Sequence, residues 1–169
     1  MALALVTSFP WFIQQNSLSP AYLQAAKLLR LNASLQFLFS TVGGTLLLLP
    51  MQRWFPYKIS KSAQRNFVAA HLDWYMLGFM QFCAAALICQ DLPQQVVAGG
   101  GQDLVFACAQ LLAFGGWVNP LSYFFRGLGI NAFEMAGDKW QMGCAALGSC
   151  SATAILVGWT GLLWLVFKK

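Results

Sequence analysis

One histidine and one acid lie inside an apolar stretch of this chain, where ionisable groups are unusual. His71 is the only histidine in the sequence, and Asp73 follows within the run from Asn66 to Cys89. Charged groups near a bilayer centre cost roughly 2.5–3.5 kcal/mol each on insertion scales, so they indicate a functional site. A neutral imidazole in a dry pocket is also a common ligand of haem iron. The alternatives are an interhelical hydrogen bond for His71 and pairing of Asp73 with Arg65 or Arg126.

Helical spacing places further residues beside the histidine. Tyr75, Gly78 and Phe82 follow His71 at steps of four, three and four residues, which puts them on one face of a helix. Gly78 would leave a flat surface on that face, against which a planar ring could lie. We therefore predict that His71, Tyr75 and Gly78 form one cofactor-binding face, with His71 as the metal ligand.

The densest polar cluster lies in a later apolar run. Asn119, Tyr123 and Arg126 follow one another at steps of four and three residues. Pro120 has no backbone N–H to donate, so it should release the carbonyl of Gly116 and kink the helix. A kink beside these side chains would shape a polar pocket at membrane depth. Interhelical hydrogen bonds of about 0.6 kcal/mol each are the alternative role for the asparagine and the tyrosine.

The composition predicts that membrane-spanning helices position these residues. The chain is 59% hydrophobic and 9% charged, whereas soluble domains contain about 25% charged residues. A membrane span requires about 20 mostly apolar residues. Four stretches meet that requirement: residues 31–50, 66–90, 103–126 and 142–167. The prediction is one all-α domain over 1–169, an integral, multi-pass four-transmembrane-helix bundle, in the cell inner membrane if its source is bacterial.

Residues 1–30 are predicted to form an interfacial segment rather than a span. Ser19 and Pro20 are typical of an N-cap followed by proline at the first helical position, and they start a short helix that runs to Arg30. One face of this helix is apolar, with Tyr22, Ala25, Ala26 and Leu29. The pattern is typical of an amphipathic helix that lies in the membrane interface.

The first predicted span has little polar chemistry. Its polar side chains include Gln36, Ser40 and Thr41, which precede the pair Gly43 and Gly44. Small residues let neighbouring helices approach closely, so we expect this span to serve mainly in packing.

The net charge of +5 does not indicate a nucleic-acid partner. Basic residues cluster at the ends of spans, and four of them lie in the first loop without an acid: Arg53, Lys58, Lys61 and Arg65. Such residues anchor helix ends at a lipid bilayer.

The sequence lacks the residues that several kinds of active site require. It has one histidine and five cysteines, none in a Cys-x-x-Cys pair, which disfavours a protein-only zinc or di-iron centre. It also lacks the Gly-x-Ser-x-Gly motif of a serine hydrolase. If the chain is an enzyme, a cofactor should supply the electrophile.

Two short stretches carry motifs of a known family. In the second predicted span, Ala70-His71 precedes Gly78-Phe79-Met80, and in the third Gly116-Trp117-Val118-Asn119 precedes Tyr123-Phe124-Phe125. These motifs resemble the small membrane isomerases typified by styrene oxide isomerase. Ala70-His71-Leu72-Asp73 is also similar to the Ala-His-Leu-Glu of the related hydroxylaminobenzene mutases.

The resemblance, which covers roughly residues 35–165, implies a homotrimer that binds haem b with His71 as the axial ligand. Ferric haem would act as a Lewis acid on the oxygen of a small apolar aromatic substrate. An epoxide would become an aldehyde, or an arylhydroxylamine an aminophenol, without net oxidation. Asn119 and Tyr123 would line the substrate pocket and orient the substrate oxygen.

The chain departs from this family at two positions. Leu77 replaces the asparagine that follows the histidine by six residues in styrene oxide isomerase, and Gly115 replaces an aspartate before the Gly-Trp pair. These losses weaken the expectation of an epoxide substrate in particular. The alternative function is a non-catalytic membrane haem-binding or accessory protein.

Overall fold

The fold is known from a computed structural model, which describes residues 20–51, 59–90, 92 and 101–168. Within these ranges all regular structure is helical, and no strand occurs. The helices are α1 (Pro20–Met51), α2 (Lys61–Gln90), α3 (Gly101–Val118), α4 (Leu121–Gly127) and α5 (Lys139–Phe167).

Three helical segments of the described residues are long and apolar enough to cross a membrane. They are Lys61–Gln90, Gly101–Gly127 and Lys139–Phe167. The all-helical class is therefore confirmed, and three of the four predicted spans coincide with helical segments of sufficient length and apolar composition. Helix α1 contains the first predicted span within its 32 residues, and its crossing of a membrane stays a prediction.

Helix α1 differs from the expectation for residues 20–30. It starts at Pro20, as predicted, but it continues without interruption past Arg30. The expected apolar face is present, yet it packs into the protein core, mainly against α2 and α3: Tyr22, Ala25, Ala26 and Leu29 are all buried. Residues 20–30 are therefore the first part of a longer helix, and their apolar face packs against protein.

Two other predicted segments cannot be compared with the structure. Residues 1–19 of the interfacial segment lie outside the described residues, as do Arg53 and Lys58 of the first loop.

Small residues bring α3 and α5 close together. A Cβ atom added at Gly158 would lie 2.9 Å from Cγ of Leu112 and 3.1 Å from the carbonyl oxygen of Cys108. One added at Gly161 would lie 2.5 Å from the sulfur of Cys108. Close approach increases the number of van der Waals contacts, which is how apolar helices associate without water.

The predicted kink at Pro120 is confirmed as a break between α3 and α4. Helix α3 ends at Val118, and α4 begins at Leu121. In an uninterrupted helix the carbonyl of Trp117 would accept from the amide of Leu121. It accepts instead from the indole Nε1 of Trp74 on α2, at 3.1 Å. A side chain from a neighbouring helix thus satisfies a carbonyl that the break releases.

Two glycines of α5 provide a matched test of this packing. Gly158→Ala should destabilise the protein by about 1–3 kcal/mol because its methyl group collides with α3. Gly143→Ala should stabilise it by up to about 1 kcal/mol through helix propensity, because nothing lies within 4 Å of the added atom. Thermal unfolding in detergent measures both. Equal effects would show that the α3–α5 contact is not tight.

Candidate functional site

The imidazole of His71 lies against one turn of α1. Its Nδ1 is 2.9 Å from the hydroxyl oxygen of Ser40, which also donates a hydrogen bond to the carbonyl of His71 at 2.8 Å. One turn later, a Cβ atom at Gly44 would lie only 2.5 Å from Cε1 of the ring and 2.9 Å from Nε2. The glycine therefore provides the space that the ring occupies, and the serine sets its orientation.

Two openings border His71. The first is a cavity of about 240 Å³ whose walls are mainly apolar. It is lined by Phe39, Ser40, Gly43, Leu46, Leu47, Ile59, Phe67, His71, Trp74 and Phe124. The second is a more open groove of about 450 Å³, lined by Thr41, Gly44, Thr45, Leu47, Val68, His71 and Tyr75. The ring is thus accessible to a ligand from an apolar cavity and from a groove with several hydroxyl groups.

The aromatic wall of the cavity is held in place by mutual contacts. Phe39 packs edge-on against Trp74, with ring centroids 4.8 Å apart, and against Trp117 at 5.7 Å. Phe67 packs against Phe124 at 5.4 Å. Trp74 is also tied by its indole to the backbone of α3. Such contacts restrict ring rotation, so the cavity has a defined shape.

The structure brings Tyr75 and His71 together but places Gly78 elsewhere. The rings of Tyr75 and His71 are 6.1 Å apart and border the same groove. Gly78 faces α1, where a Cβ atom would lie 3.3 Å from Oε1 of Gln36 and 3.4 Å from the carbonyl oxygen of Ala33. The prediction of a flat cofactor surface at Gly78 is not met in this arrangement, because the crossing of α1 covers that position.

Asp73 points away from His71. Its Oδ2 accepts a hydrogen bond from the amide of Asn119 at 2.9 Å. The oxygen of that amide lies 3.4 Å from the hydroxyl of Ser151 on α5. Among the described residues no salt bridge involves Asp73, so the expected alternatives Arg65 and Arg126 are not its partners. The acid therefore links α2 to the break after α3.

The break at Pro120 separates the two predicted catalytic residues. Asn119 precedes α4 and faces Asp73, whereas the ring of Tyr123 packs on Phe133, with centroids 5.0 Å apart. The guanidinium of Arg126 lies 5.4 Å from the centroid of the same Phe133 ring. Neither Asn119 nor Tyr123 lines the two openings beside His71. Their spacing of four residues does not give a shared helical face, because the helix is interrupted between them.

A buried pair of amides was not singled out by the sequence analysis. Nε2 of Gln81 donates to Oε1 of Gln36 at 3.2 Å and to the carbonyl of Leu112 at 3.3 Å. Gln36 is 0% exposed and Gln81 is 2% exposed. The absence of a side chain at Gly116 on α3 leaves space for both amides. The available signal was a glutamine in each of two neighbouring apolar runs. The pair joins α1, α2 and α3 at one point.

The two positions at which the sequence differs from the styrene oxide isomerase motifs are packing positions here. Leu77 is buried, at 8% exposure. A Cβ atom at Gly115 would meet Ile155 and lie 2.9 Å from the carbonyl oxygen of Ser151. An aspartate at Gly115 would therefore not fit between α3 and α5.

Within the described ranges no three His, Cys, Asp or Glu side chains come together to hold a metal ion. One imidazole beside an apolar cavity suits haem iron, because the porphyrin supplies the equatorial ligands. Comparison with protein-family models, curated proteins and solved structures finds no match to this chain.

Adjacent glycines of α1 test the position of the imidazole. Gly44→Ala should lower thermal stability relative to Gly43→Ala, by about 1–3 kcal/mol, because its methyl group collides with the His71 ring. Both substitutions gain the same helix propensity, and nothing lies within 4 Å of a Cβ atom at Gly43. Unfolding of the two variants in the same detergent gives the difference, and equal stabilities would contradict the ring position.

Proposed function

We propose that this chain is an integral membrane protein that binds haem b through His71 and catalyses a redox-neutral isomerisation. The observation that carries the proposal is the imidazole beside the cavity: Nδ1 is engaged by Ser40, while Nε2 makes no hydrogen bond within the described residues. Metal-ligating histidines characteristically use one ring nitrogen for the metal and the other for a fixed hydrogen bond.

The surroundings of His71 fit a haem ligand better than a structural histidine. The ring is only half-buried, and the groove beside it also contains Tyr75, Thr41 and Thr45. These residues would border the cofactor, with His71 as the ligand. A histidine that served only to bind α1 would need no access to a cavity. The sequence motifs around His71 support the same cofactor.

The cavity fits a small aromatic substrate. Its volume of about 240 Å³ is below the range of about 300–1,000 Å³ that is typical of sites for drug-sized ligands. When bound, ferric haem supplies a Lewis acid that polarises a substrate oxygen. Phe39, Phe67, Trp74 and Phe124 would hold the aromatic ring, exclude water, and stabilise positive charge that develops as the carbon–oxygen or nitrogen–oxygen bond weakens.

The substrate class in this proposal is an aromatic epoxide or an arylhydroxylamine. The first would rearrange to an aldehyde and the second to an aminophenol, and neither requires an external reductant. The sequence resemblance alone supports the proposal that Asn119 and Tyr123 orient the substrate oxygen, since neither lines the cavity beside His71 in this structure. The Tyr123 hydroxyl makes no hydrogen bond within the described residues, which leaves it available for this role. A homotrimer is proposed on the same resemblance.

The first prediction from this proposal is a visible absorption spectrum. The full chain, purified in detergent with an affinity tag that contains no histidine, should show a Soret band and near-stoichiometric haem b in a pyridine haemochrome assay. His71→Ala should lose most of the haem while it still inserts into membranes, because no other histidine can replace the ligand. Added imidazole should restore part of the binding.

Ser149→Ala is a suitable control, because that hydroxyl bonds only to the carbonyl of Ala145 on its own helix. A wild-type protein that stays colourless after haem is supplied would refute the proposal. Retention of a full haem complement by His71→Ala would refute the ligand assignment.

The second prediction separates an isomerase from a haem carrier or accessory protein. Tyr123→Phe removes one hydroxyl and keeps the ring contact with Phe133, so haem content and stability should not change. Turnover of an epoxide or arylhydroxylamine should fall by about 10²-fold if the hydroxyl orients the substrate oxygen. Haem binding without turnover of either substrate class would favour the non-catalytic alternative.

A further inference from the structure

The hydroxyl of Ser40 makes two contacts with the same histidine. Its oxygen lies 2.8 Å from the carbonyl oxygen of His71 and 2.9 Å from Nδ1 of the ring. Ser40 is 1% exposed, so water has almost no access to this group. Both contacts must therefore be explained with the single hydroxyl hydrogen that the serine carries.

The count of hydrogen atoms determines the tautomer of the ring. A carbonyl oxygen only accepts, so the contact at 2.8 Å uses the hydroxyl hydrogen of Ser40. The hydroxyl then has only lone pairs to offer to Nδ1. A hydrogen bond at that contact requires the hydrogen to reside on Nδ1, and a neutral ring then has an unprotonated Nε2. We propose that Ser40 is a positioning residue that holds His71 in the Nδ1–H tautomer, with the Nε2 lone pair available to a ligand.

Burial makes this arrangement hard to exchange for the other tautomer. With hydrogen on Nε2, the bare Nδ1 would face a hydroxyl whose hydrogen is already used by the carbonyl. Two lone pairs would then meet at 2.9 Å in a place without water. Turning the hydroxyl toward Nδ1 would in turn deprive the carbonyl of its second bond. The Nδ1–H tautomer is the one that keeps both contacts.

The neutral character of this partner has a consequence for a metal at Nε2. A carboxylate bonded to Nδ1–H draws the hydrogen strongly and makes the imidazole a more basic ligand. The nearest acid in sequence, Asp73, bonds to Asn119 instead. With a hydroxyl as partner, the imidazole would remain a neutral donor, and an iron bound at Nε2 would be more electron-poor, which suits a Lewis acid. This consequence depends on the proposed function, whereas the tautomer itself does not.

The presence of one histidine allows a direct test without haem. Full-length protein labelled with ¹⁵N-histidine, without a histidine tag, should show one pair of ring nitrogens in detergent micelles at a pH where the ring is neutral. We expect a protonated, pyrrole-type Nδ1 and an unprotonated, pyridine-type Nε2. An Nε2–H ring in the wild-type protein would overturn the proposal without any need for a variant.

Two substitutions extend the test. Ser40→Ala should move the ring toward the Nε2–H tautomer that free histidine favours and weaken haem binding by about 10–100-fold. Ser40→Thr keeps the hydroxyl and should retain the wild-type tautomer, and Ser149→Ala should leave the His71 signals unchanged. An unchanged tautomer in folded Ser40→Ala would refute the role of the serine. An Nδ1–H ring that shifts to Nε2–H in Ser40→Ala, in a protein that binds no haem, would confirm the serine's role and refute the proposed function.

Discussion

Polar groups between these helices have to find partners within the protein, because long apolar helices leave little water around them. The hydroxyl of Ser40 forms a hydrogen bond with the ring of His71. The amide of Gln81 bonds to a carbonyl of α3, and the indole of Trp74 bonds to the carbonyl of Trp117. Each bond joins α2 to a neighbouring helix. Together they fix the rotation of α2 about its axis, and the direction of the imidazole depends on that rotation.

The lengths of the helices and the break at Pro120 could be predicted, because they follow from local chemistry. Apolar runs of sufficient length form helices, and proline lacks an N–H wherever it occurs. The rotation of one helix against another depends on the complete set of interhelical contacts. For this reason the partner of His71 was not predicted: Ser40 lies in a run that indicates only packing. Gly78 was assigned to a cofactor surface for the same reason, although α1 covers it.

Helical spacing predicts side-chain contacts only within one continuous helix. The contact of Tyr75 with His71 follows from a step of four residues in a continuous helix. The same step between Asn119 and Tyr123 spans the break, so these side chains meet different neighbours. Gly115 illustrates another limit, because its close contact with α5 involves residues about forty positions away. The proposed cofactor and reaction rest on short motifs and on the cavity beside His71.

The bond from Trp74 to the carbonyl of Trp117 links two positions that are far apart in the chain. Once Pro120 is present, loss of the indole leaves a carbonyl without a partner between apolar helices. Loss of the proline, in turn, lets the carbonyl bond within its own helix and removes the need for the indole. During evolution the proline should therefore be lost before or together with the tryptophan. Related chains should then pair a residue other than proline at position 120 with greater variety at position 74.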